Sequence, residues 1–169
     1  FSPSGATRRL GLGLQLAPGF ENVEFYARGP RSNYSDRKTG SYLGRFTTTV
    51  DDMVEEQIHP QTYGDHEDLR ELLLSNKEEG LTLTVQVDGK ASFSLSHFDE
   101  SKWIEEGSNL WKIPTHWYDL VRKPQVFAHI DYWQRGLGNN SCQGDVVLPK
   151  YECPTSGDQT YTLRLRPNL

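Results

Sequence analysis

Sulfur is scarce in this chain: two cysteines, Cys142 and Cys153, and one methionine among 169 residues. Two cysteines cannot build the disulfide lattice of a staple-dependent domain. The pair could close across a hairpin, but two free thiols is the expected state. There is no Cys-x-x-Cys pair, so the sequence offers no zinc-ribbon spacing. No run of 18 apolar residues is present, so no membrane-spanning helix is expected. Positive charge is also in deficit, with 18 Lys and Arg against 23 Asp and Glu and a net charge of -5. That balance argues against nucleic acid as a partner. Phosphate loops, dinucleotide fingerprints, internal repeats and low-complexity segments are missing as well.

The length fits one domain and suffices to bury a core without staples. Phe1-Ser-Pro-Ser-Gly at the start looks like the edge of an excised piece. Residues 1–8 are therefore expected to be a linker or expression remnant, and residues 9–169 one β-domain. The cysteines leave the compartment unread.

Strand periodicity dominates the chain from Arg9 onward. Leu10, Leu12, Leu14 and Leu16 alternate with Gly11, Gly13 and Gln15, so the four leucines should share one face. Glycines on the other face predict that something approaches closely there. Val23–Ala27 and Tyr42–Val50 read as further strands, and Leu69–Leu74 as a short apolar one. Leu81–Val87 alternates most cleanly and runs into Asp88-Gly89, a strong hairpin signal toward Ser92–Phe98. Val126–Trp133 and Tyr161–Arg166 complete eight or so strands. Arg164 and Arg166 suit the polar face of an edge strand. A short helix is expected over Asp99–Glu106. The fold class is all-β, an antiparallel sandwich with one or two short helices.

Three long loops interrupt the strands. Tyr26–Phe46 carries Arg28, Arg31, Arg37, Lys38 and Arg45 against a single acid, Asp36, with three tyrosines. Asn33, Ser35 and Asp36 favour tight, backbone-bonded loops. Ile58–Arg70 holds His59, Asp65, His66, Glu67 and Asp68. Those are metal-ligand types, but helical i, i+4 spacing is missing, and no metal site is expected. Arg70 is expected to reach a carboxylate on another loop, Asp36 or Asp51, through its bidentate fork. Gly136–Cys142 ends in Asn139, Asn140, Ser141 and Cys142, a tip that presents amides.

Candidate binding residues lie on one strand face, where His129, Asp131 and Trp133 stand about 7 Å apart in succession. They could contact a sugar, serve as a His–carboxylate base, or form an ordinary structural pair. Trp111 and Trp117 offer either a sugar platform or plain packing.

Three segments together resemble the C-terminal domain of beta-galactosidases of glycoside hydrolase family 2. Arg28-Gly29-Pro30-Arg31-Ser32-Asn33-Tyr34-Ser35-Asp36-Arg37 is similar to its GPxENYxDR signature. His59-Pro60-Gln61-Thr62-Tyr63-Gly64, continuing to Asp68-Leu69-Arg70, resembles its proline-led loop with the following Arg. Asp131–Cys142 resembles its MGxGGDxSW loop. The order matches and the resemblance covers nearly the whole chain after Arg9.

The resemblance implies the C-terminal portion of a galactose mutarotase-like supersandwich. It implies that hydrolysis of terminal β-D-galactose residues, with retention, belongs to two glutamates on a separate barrel. This chain alone is then inactive. Asn33, Tyr34, Asp36, Arg37 and Arg70 become a structural framework. Asn139, Asn140, Ser141 and Cys142 become a substrate-adjacent loop, although Cys142 stands where the family has a Trp that can stack on a sugar. Ser32 and Thr62 likewise replace acidic residues of many members. The implied partners are the other domains of the same enzyme, its β-galactoside substrate and another protomer, with no nucleic acid and no membrane. No cofactor is implied in this chain, and any Mg or Na ions would sit on other domains. A bacterial enzyme of cytoplasm or periplasm is implied.

Overall fold

The computed structural model describes residues 8–58, 64–100, 116–138, 147–154 and 156–168. Its strands are β1 (Arg9–Leu16), β2 (Asn22–Gly29), β3 (Tyr42–Thr49), β4 (Glu71–Asn76), β5 (Leu81–Asp88), β6 (Ser92–Ser96), β7 (Val126–Gln134) and β8 (Thr162–Asn168). They form an antiparallel three-stranded sheet, β1-β7-β6, and a five-stranded sheet, β3-β2-β4-β5-β8. The fold is an all-β sandwich. Short 3-10 turns stand at Asp51–Met53, Trp117–Asp119 and Pro149–Tyr151, and no α-helix occurs among the described residues. The helix expected over 99–106 falls almost wholly outside them.

Alternation puts one face of each strand into a single core. Val23, Phe25 and Ala27 of β2, Leu72 and Leu74 of β4 and Val85 of β5 meet Phe93 and Leu95 of β6 and Val126, Ala128 and Ile130 of β7. The Phe25 and Phe93 rings join the two sheets, with centroids 5.2 Å apart in an edge contact. Burying each such ring is worth about 1.5–3 kcal/mol. Leu14 and Leu16 of β1 pack against this core as expected. Leu12 is 36% exposed, because β1 is the outer strand of its sheet, and the register slips between Leu10 and Gly11.

The Asp88-Gly89 turn forms, with Gly89 at φ +102, yet it does not make a paired hairpin. β5 pairs with β4 and β8, whereas β6 pairs with β7 in the other sheet. The turn residues set only a chain reversal. Burial sets the pairing: Ala91 is drawn into the core, its carbonyl accepts from Leu69 N–H at 2.9 Å, and β8 takes the side of β5 away from β4. Strand β8 lies at the edge of its sheet and carries Arg164 and Arg166 there.

Candidate functional site: the three-loop polar frame

Asn33 is fully buried, and its side chain ties the first loop to the second. Nδ2 donates to the carbonyls of Arg28 at 3.1 Å and Arg31 at 3.0 Å. Oδ1 accepts from Glu67 N–H at 3.0 Å, and the Asn33 backbone N–H donates to Asp65 O at 2.7 Å. An amide is the side chain that can donate twice and accept at one site. Tyr34 beside it is also fully buried. Burial pushes its phenol pKa up, Asp65 and Glu55 add to this, and a hydrogen bond with the Asp65 backbone opposes it. The Arg37 guanidinium lies 5.0 Å from the Tyr34 ring centroid.

Asp36 ties the first loop to the third. Its Oδ2 accepts from Gly138 N–H at 2.6 Å, across 102 residues of chain. Gly136 makes that approach possible, since a Cβ there would lie 2.7 Å from the Asp36 carboxylate. Ion pairs complete the frame. Arg28 Nε pairs with Asp68, while Lys38 Nζ reaches Glu67 at 3.1 Å and Asp68 at 3.4 Å. Burial works to raise the Asp68 pKa, but the hydrogen bonds and charges of Arg28 and Lys38 outweigh it and hold the carboxyl below its usual range.

Arg70 is not part of this frame. Its Nη1 donates to the Gly89 and Leu69 carbonyls at 3.1 and 3.4 Å. The expected pairing with Asp36 or Asp51 does not form. Asp36 is taken by Gly138, and Asp51 by Arg122 at 3.0 Å. Arg70 directly precedes β4, and there its side chain lies against the turn between β5 and β6. Arg28, inside the first motif, makes the cross-loop pair instead.

His129 and Asp131 stand opposite Gly13 and Gly11 on one side of β7, but the register slip at Tyr132 sets Trp133 opposite Leu10 instead, and no His129–Asp131 bond is formed among the described residues. Arg9 organises this group. Its Nε donates to Gln134 Oε1 at 2.9 Å and lies 2.8 Å from Asp131 Oδ2, which is therefore held by charge more than by a directed bond. Nη1 reaches Glu100 at 3.2 Å and Nη2 donates to Ser94 Oγ at 3.0 Å. Burial pushes Asp131 up to about 7, against the Arg9 charge, and raises Glu100 likewise. Burial and Arg9 push His129 down to about 4, so it is neutral at pH 7. The glycine signal in β1 is explained here: a Cβ on Gly11 would lie 2.3 Å from Asp131 Oδ1. Asp131 is 1% exposed, so a dissolved substrate does not reach it. Trp133 has Lys90 Nζ 3.1 Å from its ring centroid and donates from Nε1 to Tyr151 O at 3.5 Å. That ring is engaged within the protein.

Asp65 is fully buried, and sequence reasoning gave it no role of its own. Its pKa is raised well above the usual range, by burial first and then by Glu67, with the Arg9 charge opposing. Nothing local in the sequence marks Arg9 or Asp65; the glycines opposite Asp131 were the one available signal. Cys153 is a free, buried thiol. Asn139, Asn140, Ser141, Cys142, Trp111 and Thr62 lie outside the described residues.

Fold and frame together define an antiparallel β-sandwich module with its three loops tied to one another by polar side chains. Its sequence matches the model of the beta galactosidase small chain over residues 2–165, and the chain belongs to that family. It is 36% identical over 134 residues to a beta-galactosidase of Staphylococcus xylosus, covering 79% of this chain and 12% of the relative. Beta-galactosidases of Lactococcus lactis and Priestia megaterium are 28% and 26% identical over 159 and 158 residues, each 94% of this chain and 14% of theirs. The chain thus spans 12% to 14% of the length of these relatives.

Proposed function

We propose that this chain works as the C-terminal module of a beta-galactosidase that hydrolyses terminal non-reducing β-D-galactose residues. The module carries no catalytic group; the two glutamates of a retaining mechanism lie on a separate barrel of the same enzyme. Its sandwich is one portion of a galactose mutarotase-like supersandwich. The module packs on the other domains and holds the loop after Gly138 toward the substrate, with a further protomer as an additional partner.

The Asp36–Gly138 tie carries this reading. It joins the first family motif to the last and fixes Gly138, the residue before the substrate-adjacent loop. Cys142 in place of a stacking Trp favours altered aglycone contacts within the same reaction. An autonomous sugar-binding module is less well supported, because Trp133 is engaged with Lys90 and Tyr151.

The test is Asp36→Ala in the enzyme that contains this chain, with a thermal midpoint measured alongside. Misplacing a substrate-facing loop by about 1 Å can cost on the order of 100-fold in rate. A fall in kcat/KM that varies with the aglycone, in protein that still melts cooperatively, is the expected result. Unchanged kinetics for every aglycone would overturn the loop-positioning role.

A further inference from the structure

We propose that Glu21, Asp51 and His97 form a binding site for a divalent transition cation of the zinc class. The three come from separate segments. Glu21 precedes β2, Asp51 opens the 3-10 turn after β3, and His97 follows β6. A backbone bond from Val50 N–H to Glu21 O at 3.0 Å fixes the first two segments together. One ligand atom from each residue lies within 4.8 Å of the others.

The imidazole itself is the second observation. His97 is 1% exposed, and its Nδ1 lies 2.9 Å from the Gln125 carbonyl. A carbonyl only accepts, so Nδ1 carries the proton in that bond. In the neutral ring Nε2 then presents a lone pair, aimed at Glu21 Oε2 at 2.8 Å and Asp51 Oδ1 at 3.8 Å. Both of those are acceptors too. The three ligand atoms lie within 4.8 Å of one another, and the 2.8 Å contact of Nε2 with Glu21 needs a cation between the two, either a proton or a metal. An imidazole anchored through its other nitrogen to a carbonyl is also the usual posture of a metal ligand.

The dimensions fit. Zinc bonds of about 2.0–2.2 Å in a tetrahedron place ligand atoms about 3.3 Å apart, between the 2.8 and 3.8 Å found here. One imidazole and two carboxylates, with water completing the shell, suit a borderline cation. Arg122 also faces the group. It donates to Asp51 Oδ2 at 3.0 Å and to Oδ1 at 3.2 and 3.3 Å. It orients the carboxylate while the two acids still outnumber it. Glu21 and Asp51 are 36% and 63% exposed, so an ion can enter from solvent.

The experiment is zinc titration of the chelator-treated protein by calorimetry, with long-range proton–nitrogen NMR on the His97 ring. Glu21→Gln and Asp51→Asn are made separately, since both positions are exposed and the fold should tolerate them. The expected result is one bound zinc, loss of the Nε2–H signal on loading, and at least about tenfold weaker binding in each variant. Their midpoints in chelator should stay near that of the parent chain. Zinc binding undiminished in both variants would place the ion elsewhere and overturn the proposal. An Nε2 that keeps its proton under excess zinc would overturn it too, leaving a proton as the bridging cation.

Discussion

Replacing Asn33 with alanine removes three hydrogen bonds from the centre of the polar frame. Their losses are unequal. The Arg28 carbonyl also faces His66 Nδ1 at 2.9 Å and stays satisfied. Arg31 is exposed, so water can replace its bond. Glu67 is 2% exposed, and its N–H is left without a partner. An orphaned buried donor costs about 1–3 kcal/mol, and two ordinary hydrogen bonds add about 0.5–1.5 kcal/mol each. The sum is about 2–6 kcal/mol, a large share of the roughly 5–15 kcal/mol that a domain has. Asn33→Asp sharpens the test. It keeps the acceptor for Glu67 N–H but sets a carboxylate against two carbonyls, near Asp65. That acid would ionise more readily unfolded than folded, so stability should fall as pH rises above about 3.9. Urea unfolding of the three proteins at pH 4 and pH 7.5 measures both effects. An Asn33→Ala loss below about 1 kcal/mol, or an Asn33→Asp penalty independent of pH, would refute the account of the frame.

Asp65→Asn should stabilise the chain increasingly above about pH 3.9: the wild-type acid has a raised folded pKa, so its protonated form favours folding and that benefit is lost as pH rises. Urea midpoints at pH 4 and pH 8 check this, and a larger gain at pH 4 would be the wrong sign. Arg9→Ala removes the cation shared by Asp131 and Glu100; breaking a buried pair costs about 3–5 kcal/mol, and the cost should shrink in acid, where both carboxyls are protonated. Gly11→Ala places a methyl 2.3 Å from Asp131 Oδ1 and 2.5 Å from the Ile130 carbonyl, so a lowered thermal midpoint worth about 1–3 kcal/mol is expected. Arg70→Ala should change the urea midpoint by less than about 1 kcal/mol, because its shorter bond runs to the exposed carbonyl of the Gly89 turn.

The strands were legible because burial writes itself as alternation. Val23 with Phe25, and Leu72 with Leu74, fall in the core as a period of two requires. The first motif was legible because Asn33 and Asp36 act on backbone groups, a use their chemistry announces. The pairing of β5 and β6 was not, since Asp88-Gly89 fixes a reversal and leaves open which sheet receives the next strand. Arg70 was misjudged for a related reason: a guanidinium reaches about equally far in many directions, and only the folded chain shows which carboxylates are already taken. Arg9, Asp65 and His97 carry no local mark at all. Arg9 and His97 take their roles from Asp131 and Glu21, which lie far from them in sequence, and Asp65 takes its role from burial.

Complementation of activity tests the central claim most directly. The enzyme that contains this chain is truncated to remove it, and hydrolysis of an aryl β-galactoside is followed while the purified chain is added back. The account predicts no turnover by the chain alone, weakened or lost turnover by the truncated enzyme, and a saturable recovery on mixing. Turnover by the isolated chain, or a truncated enzyme as active as the whole, would contradict it.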